Sequence, residues 1–258
     1  MITNNKIFLL GHKGFVGSGI AQFFNTNDIN FTGIDRENYE KYKGQECDIF
    51  INAAGNSNKR LATKDPMADF QANVMSTLQT LLDFPCKKYI LLSSIDVYPD
   101  CINPENNKEN TTIDVQKLSN YGVSKFLAER LVKHYAKDWL IIRLGGMVGP
   151  NLKKNSVYDV IHYKKTFVSP KSEYQYIPTT EVAKIILELK NESKEIFNLC
   201  GDSTLVVEEI FKMANIDTKP ELFDLRIEKY EVNIDKIKSK TQIPKTIDSV
   251  KQYVKDNQ

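Results

Sequence analysis

The amino-acid sequence predicts an α/β fold: a doubly wound parallel sheet followed by a small C-terminal lobe. Two observations carry the prediction. Through the first 150 of 258 residues short apolar runs alternate with helical stretches, the pattern of parallel strands joined by crossover helices on both faces of one sheet. After Pro150 the texture changes, and residues 151–175 are rich in Lys, Ser, Asn and Tyr with only partial periodicity.

Taken in order, residues 7–10 read as the first strand, 15–24 as a helix, 31–34 as the second strand and 49–53 as a third. Residues 68–82 read as a helix, 89–93 as a strand, 121–135 as a helix and 140–144 as a further strand. In the C-terminal part, residues 180–189 form an amphipathic helix introduced by Pro178-Thr-Thr, 197–199 a strand and 207–214 a helix. The tail reads as a short strand at 230–234 and two charged helices split by Pro244. The expected division is 1–150 for the sheet domain and 151–258 for a smaller lobe interleaved with it.

Composition excludes several classes. Lys+Arg (35) and Asp+Glu (33) nearly cancel to +2 and are scattered, which argues against nucleic-acid or membrane partners and for small molecules. Hydrophobic content of 41% suffices for a soluble core. Cys47, Cys86, Cys101 and Cys200 form no CxxC or Cys/His cluster, so no metal site is expected and a reducing cytoplasm fits. The apolar run at 7–10 is too short for a leader and no later run is long enough for a bilayer span.

Gly11, Gly14 and Gly17 recur every third residue between the first strand and the first helix. Glycine allows a tight turn, close approach of a pyrophosphate and close helix packing, while the helix N-terminus offers N–H groups to the anion. Asp35 ends the second strand 18 residues past Gly17, where a carboxylate meets an adenosine ribose and repels a 2′-phosphate. The expected cofactor is therefore NAD, with Lys13 and Arg36 as the cations that leave NADP open. Phe15 and Val16 complete the loop segment.

Tyr121 and Lys125 stand four apart at the start of a helix and share a face. An ammonium near a phenol favours the phenolate, so Tyr121 is the candidate acid or base, with Lys125 also holding the nicotinamide ribose. Ser94, at the C-terminal end of a sheet strand, would donate to the same substrate oxygen. Taken as polar residues alone, Asn52 and Asn73 lie at a strand end and in a helix.

These segments together resemble the extended short-chain dehydrogenase/reductase family, the NAD(P)-dependent nucleotide-sugar epimerases, dehydratases and ketoreductases. The resemblance rests on GHKGFVG, Asp35, Asn52-Ala-Ala-Gly55, Asn73-Val74 with Thr77, LSSIDVYP, YGVSK and Arg143-Leu-Gly-Gly-Met-Val-Gly-Pro150. It implies a Rossmann-like domain, a catalytic set of Ser94, Tyr121 and Lys125, and a cofactor cleft lined by Ala53, Ala54, Gly55 and Asn73. The opening Gly-His-Lys-Gly-Phe-Val-Gly-Ser is especially similar to the bacterial GDP-fucose synthase type. A homodimer, as in relatives, would use helices such as 68–82 and 125–135.

Departures narrow the chemistry. The 4,6-dehydratases of the family carry an acid and a Glu base where this chain has Ile95 and Asp96. Isoleucine donates no proton, which disfavours dehydration; Asp96 reads either as a weak base at the substrate or as a loop cap. The chain is also shorter than typical members, which bears on the substrate lobe. Candidate cations for a nucleotide diphosphate are Lys153, Lys154 and Arg226, each equally readable as a solvated charge, and Tyr158 or Tyr174 as stacking platforms. The expected activity is reduction of a 4-keto sugar nucleotide, with an epimerase as the alternative. A dinucleotide-sensing regulator is the rival from another class, though such a protein would not need Ser, Tyr and Lys together.

Overall fold

The structure, a computed structural model, describes residues 5–258. Ten strands are present among the described residues: β1 (Ile7–Leu10), β2 (Thr32–Ile34), β3 (Cys47–Asn52), β4 (Cys86–Ser94), β5 (Trp139–Leu144), β6 (Gly146–Val148), β7 (Glu173–Tyr174), β8 (Tyr176–Pro178), β9 (Glu195–Leu199) and β10 (Leu205–Val206). Six form one parallel sheet in the order β2-β1-β3-β4-β5-β9. Side chains of a strand alternate between faces, and both faces are apolar here because helices cover both. Ile7, Leu9, Ile49, Ile51, Ile90, Leu92, Leu140 and Ile142 fill one core with the helices Phe15–Thr26 and Thr179–Glu188. Their neighbours Phe8, Leu10, Phe50, Tyr89, Leu91 and Ile141 fill the other, against Ala128 and Val132 of the helix Asn120–Tyr135.

The chain leaves β1 in one direction for β2 and returns to the other side of β1 with β3. Loops following β1 and β3 therefore diverge and open a crevice, the place where doubly wound sheets bind ligands.

The part after Pro150 contributes to both layers. β9 is the sixth strand of the main sheet, and the helix Thr179–Glu188 lies against Phe15–Thr26. The remaining segments make a separate core of Val157, Val160, Ile161, Leu205, Ile210, Phe211, Val250 and Val254. Two small sheets adjoin it, β6, from just before Pro150, parallel to β8, and β7 antiparallel to β10.

Two local expectations are corrected, and a stretch without an assigned element gains one. Residues 151–175 contain a helix, Ser156–Ile161, capped by Asn155 accepting from Tyr158 N at 2.9 Å. The helical stretch expected at 68–82 comprises Pro66–Phe70, a π-turn at Gln71–Met75 and Ser76–Asp83. Residues 230–234 do not form a strand, because their donors go to unrelated partners. Tyr230 N bonds Glu173 O (2.9 Å), Glu231 N bonds Cys101 O (2.7 Å), Val232 N bonds Gln175 Oε1 (2.7 Å) and Asn233 N bonds Asn107 Oδ1 (2.8 Å).

Candidate active site

The glycine loop sits at the crevice because only glycine fits there. Gly11 has φ +80°, and a Cβ on it would lie 3.0 Å from the backbone of Ala53 and Ala54, so the loops after β1 and β3 touch at this point. A Cβ on Gly17 would stand 2.1 Å from Gly11 O. The following helix begins at Phe15, with Gly14 at its cap providing no side-chain acceptor. The first N–H groups of a helix have no intrahelical acceptor, so this turn keeps donors for an anion. Phe15 and Val16 face away into the packing, Phe15 toward the C-terminal core and Val16 toward the sheet.

Substituting Gly17→Ala is expected to weaken dinucleotide binding by about tenfold or more, since relieving such an overlap costs about 1–3 kcal/mol. Calorimetric titration of the variant checks it; unchanged affinity would remove the loop from the cofactor site.

Asp35 lies at the end of β2 and is held on both oxygens. Oδ2 pairs with Lys13 Nζ at 2.6 Å, and Oδ1 accepts from Glu37 N at 2.9 Å. The Lys13 contact is the main reason its carboxyl titrates below the usual range. Lys13 also reaches Glu37 at 3.1 Å, whereas Arg36 is exposed and makes no side-chain bond among the described residues.

On the opposite wall, Ala53 N bonds Leu10 O (3.1 Å) and Ala54 N bonds Asn52 Oδ1 (3.1 Å). Gly55 has φ +122°, and a Cβ there would lie 2.5 Å from Asn73 Oδ1. The π-turn carries Asn73, which donates to Asp69 Oδ1 at 2.9 Å while its own Oδ1 is buried without a partner. A glycine cradle, a donor-rich helix start, a carboxylate at the end of β2 and an unspent acceptor beside Gly55 together fit a dinucleotide.

The catalytic candidates meet at the C-terminal end of β4. Ser94 ends that strand, and its Oγ caps the short turn Ile95–Val97 by accepting from Asp96 N (3.2 Å) and donates to Asp96 Oδ2 (3.0 Å). Tyr121 and Lys125 project from the first turns of Asn120–Tyr135, which Ser119 caps by accepting from Gly122 N at 3.1 Å. Gly122 lets that helix approach, since a Cβ there would lie 2.4 Å from Asp96 O. Lys125 Nζ stands 5.9 Å from the Tyr121 ring centre and 3.5 Å from Leu92 O.

Electrostatics corrects one expectation. Burial, and then the charge of Asp96, push the Tyr121 phenol above its ordinary value, while hydrogen bonding with Ser94 pulls the other way without prevailing. In the protein alone the phenol is thus held protonated. Lys125 is itself pushed down to about 8 by burial, against the pull of Asp69 and Glu129.

Between about 8 and 10.5 the unfolded chain carries a proton on Lys125 that the folded chain has released, so folding stability climbs as pH rises through that window. The penalty is complete below about 8 and amounts to about 3 kcal/mol. Lys125→Met, freed of ligands, is expected to be more stable than the unchanged protein at pH 7 by up to that amount, with the difference closing toward pH 10.5. Urea unfolding at the two pH values measures it.

Sequence reasoning missed Asn56, Lys59, Asp69 and Tyr230, which the fold brings to residues it had named. Lys59, the first residue of the short helix Lys59–Lys64 after β3, pairs with Asp96 Oδ1 at 2.6 Å and reaches Tyr230 Oη at 3.3 Å. Asn56 and Asn73 converge on the buried Asp69. Tyr174 stacks on Tyr230 with ring centres 5.6 Å apart. None carries a local signal beyond polarity, since each depends on a contact remote in sequence. Arg226 is tied to Glu228 Oε1 (3.0 Å) and Phe167 O (3.2 Å), Lys154 donates to Ser57 O at 2.9 Å beside the Lys59 loop, and Lys153 is exposed. Tyr158 is stacked on His162, 4.0 Å between centres. No cluster of metal-ligating residues occurs among the described residues. Nor is any helix among them long and apolar enough to cross a membrane.

The model of the NAD dependent epimerase/dehydratase family matches residues 7–164, more than half the chain. The chain belongs to that family. A curated relative, the dTDP-D-glucose 4,6-dehydratase of Dictyostelium discoideum, is 23% identical over 86% of this family member, which spans 62% of that relative's length. Two solved structures share the fold at low identity. The UDP-glucuronic acid 4-epimerase of Bacillus cereus, in complex with a UDP-sugar and NAD, has a TM-score of 0.78 at 18% identity, covering 97% of this chain and 99% of that one. The dTDP-4-dehydrorhamnose reductase of Bacillus anthracis, in complex with NADP, has a TM-score of 0.79 at 15% identity, covering 98% and 99%. The match spans the C-terminal segments as well as the sheet.

Proposed function

We propose that this epimerase/dehydratase-family protein is an NAD(P)-dependent enzyme acting on a sugar nucleotide, and that its reaction is reduction of a 4-keto sugar. One observation carries the reading: Ser94, Tyr121 and Lys125 gather at the C-terminal end of β4, with the Tyr121 phenol held protonated by burial and by Asp96. A ketone that receives a hydride becomes an alkoxide and needs a proton at the same moment, which a buried neutral phenol supplies. The dinucleotide, when bound, supplies the hydride. Ser94 orients the carbonyl oxygen, and Lys125 holds a ribose hydroxyl. Ile95 is buried and offers no proton, which works against dehydration.

Support for the substrate class comes from the family and from the names of relatives that act on sugar nucleotides. The likeness of the opening loop to the GDP-fucose synthase type leans the same way as the protonated phenol. In this reading Asp96 faces the sugar, while Arg226 and Lys154 are the cations for the diphosphate. NAD is the proposed cofactor, because a 2′-phosphate would have to compete with Asp35 for Lys13. NAD is expected to bind at least as tightly as NADP, and Asp35→Ala should narrow or reverse the preference; a clear NADP preference in the unchanged protein would show that Lys13 and Arg36 prevail.

Incubation with a panel of 4-keto-6-deoxy sugar nucleotides and reduced cofactor tests the activity. One of them should consume reduced nicotinamide stoichiometrically. Conversion of a fully hydroxylated sugar nucleotide to its epimer without net cofactor change would establish the epimerase instead. Cofactor binding without either reaction would favour a sensing role.

A further inference from the structure

At the end of the sheet opposite the candidate site, β3 and β4 each begin with a cysteine. Cys47 opens β3, Cys86 opens β4, and the two are partners in the parallel register. Side chains opposite each other in register project to the same side of a sheet. Neighbouring strands run about 4.8 Å apart, inside the Cα spacing of about 4.4–6.8 Å that a disulfide spans. The residues that follow them, Asp48 and Lys87, show how closely facing side chains meet here, with Oδ1 and Nζ 2.7 Å apart. Both cysteines are free and pack against one apolar cluster with Phe8 and Phe84, Cys47 buried and Cys86 half-buried.

Small solutes can reach this pair. A pocket of about 390 Å³ is lined by both cysteines and by Lys6, Lys87 and Lys137, and Glu46 and Asp48 also face it. Asp48 is engaged by Lys87 and by Lys6 N at 2.7 Å, so much of its charge is answered locally. The other two cysteines are placed differently: Cys101 donates to Ile95 O at 3.4 Å, and Cys200 is fully buried.

We infer that Cys47 and Cys86 form a reversible dithiol site, which a hydroperoxide converts to a disulfide joining β3 to β4. Cys86 reacts first because it is the sulfur that the pocket exposes. Its thiolate attacks one peroxide oxygen and the O–O bond breaks. The second oxygen leaves as hydroxide, takes up the proton that Cys86 released and becomes water, and Cys86 is left as a sulfenic acid. Cys47 Sγ then attacks Cys86 Sγ, the S–O bond breaks, and the Cys47 proton leaves with the oxygen as a second water. Two electrons pass from the dithiol to the peroxide, and exchange with a small dithiol restores both thiols.

Proton affinities agree with this order. Contact with Cys47 draws the Cys86 thiol below its ordinary range, against burial and the charge of Asp138, while contact with Cys86 and burial push Cys47 up. A thiol of low proton affinity beside cations and open to solvent is the reactive kind. The site uses neither the crevice nor Ser94, Tyr121 and Lys125, so it stands apart from the proposed reduction.

Peroxide mapping tests it. The full chain, reduced and freed of reductant, is exposed to hydrogen peroxide under native conditions, blocked with N-ethylmaleimide, digested and analysed by mass spectrometry. A peptide pair joined through Cys47 and Cys86 is expected, and dithiothreitol should return both thiols. Cys47→Ala should instead leave Cys86 as a sulfenic acid that dimedone traps, whereas Cys86→Ser should leave Cys47 reduced. Near neutral pH, iodoacetamide should alkylate Cys86 at least about tenfold faster than Cys101, whose thiol is pushed up to about 12 by burial. Absence of the linked pair in the native chain, a link that forms only in urea, or dimers joined through Cys86 in place of the internal bond would overturn the site. Equal alkylation of Cys86 and Cys101 would overturn it as well.

Discussion

Tyr121→Phe should bind the dinucleotide nearly as the unchanged protein does and lose about 10²–10⁴-fold in turnover, the range for removing a placed proton donor. The ring keeps its burial and its place beside Lys125, and only the hydroxyl is removed. The loss should therefore fall on kcat with little change in KM, which single-turnover kinetics and a cofactor titration resolve together. Full activity in this variant would mean that another group supplies the proton, and with it the catalytic assignment of the whole Ser94–Tyr121–Lys125 set would fall.

The second large effect is on folding. Arg143 in β5 and Glu129 in Asn120–Tyr135 are almost fully buried, at 3% and 1% side-chain exposure, and pair in two places: Nη2 to Oε2 at 2.7 Å and Nε to Oε1 at 3.0 Å. Ser93 donates to Glu129 Oε1 at 2.7 Å, and Tyr98 and Asn198 continue the network from Arg143 Nη1. Glu129→Ala strands a guanidinium in the core and is expected to cost about 3–5 kcal/mol, read as a lower urea midpoint at unchanged slope. Replacing both partners by apolar residues of similar size should recover much of that, because the pair itself adds little once both charges are gone. A loss below about 1 kcal/mol in the single variant would mean that water reaches Arg143.

How much of this was readable beforehand follows the range of the interactions. The sheet was legible because strands buried on both faces are continuous apolar runs, and the glycine loop because its constraint is local: Gly11 and Gly17 answer to each other within seven residues of chain. Ser94, Tyr121 and Lys125 were legible as residue types at a spacing, and the fold brings them together. The direction of the Tyr121 shift was not, since it depends on burial and on Asp96, which the sequence does not reveal. Lys59 and Tyr230 are 171 residues apart and meet only in the folded chain. The expected strand at 230–234 failed for the opposite reason: an apolar-rich run was present, but its N–H groups bond Glu173, Cys101, Gln175 and Asn107 instead of one neighbouring strand.

The position of β9 bears on how the molecule is made. The strand that completes the sheet leaves the ribosome some fifty residues after β5, its neighbour, so for that interval β5 is an open edge with a row of unpaired amides and carbonyls. Asn198, which accepts the Tyr98 hydroxyl at 2.9 Å, arrives with the same strand. Until then the Arg143 network lacks its last member. A nascent chain stopped near Pro150 holds the glycine loop and every candidate catalytic side chain, yet it exposes a sticky edge and an unfinished polar cluster, the features that favour aggregation over folding.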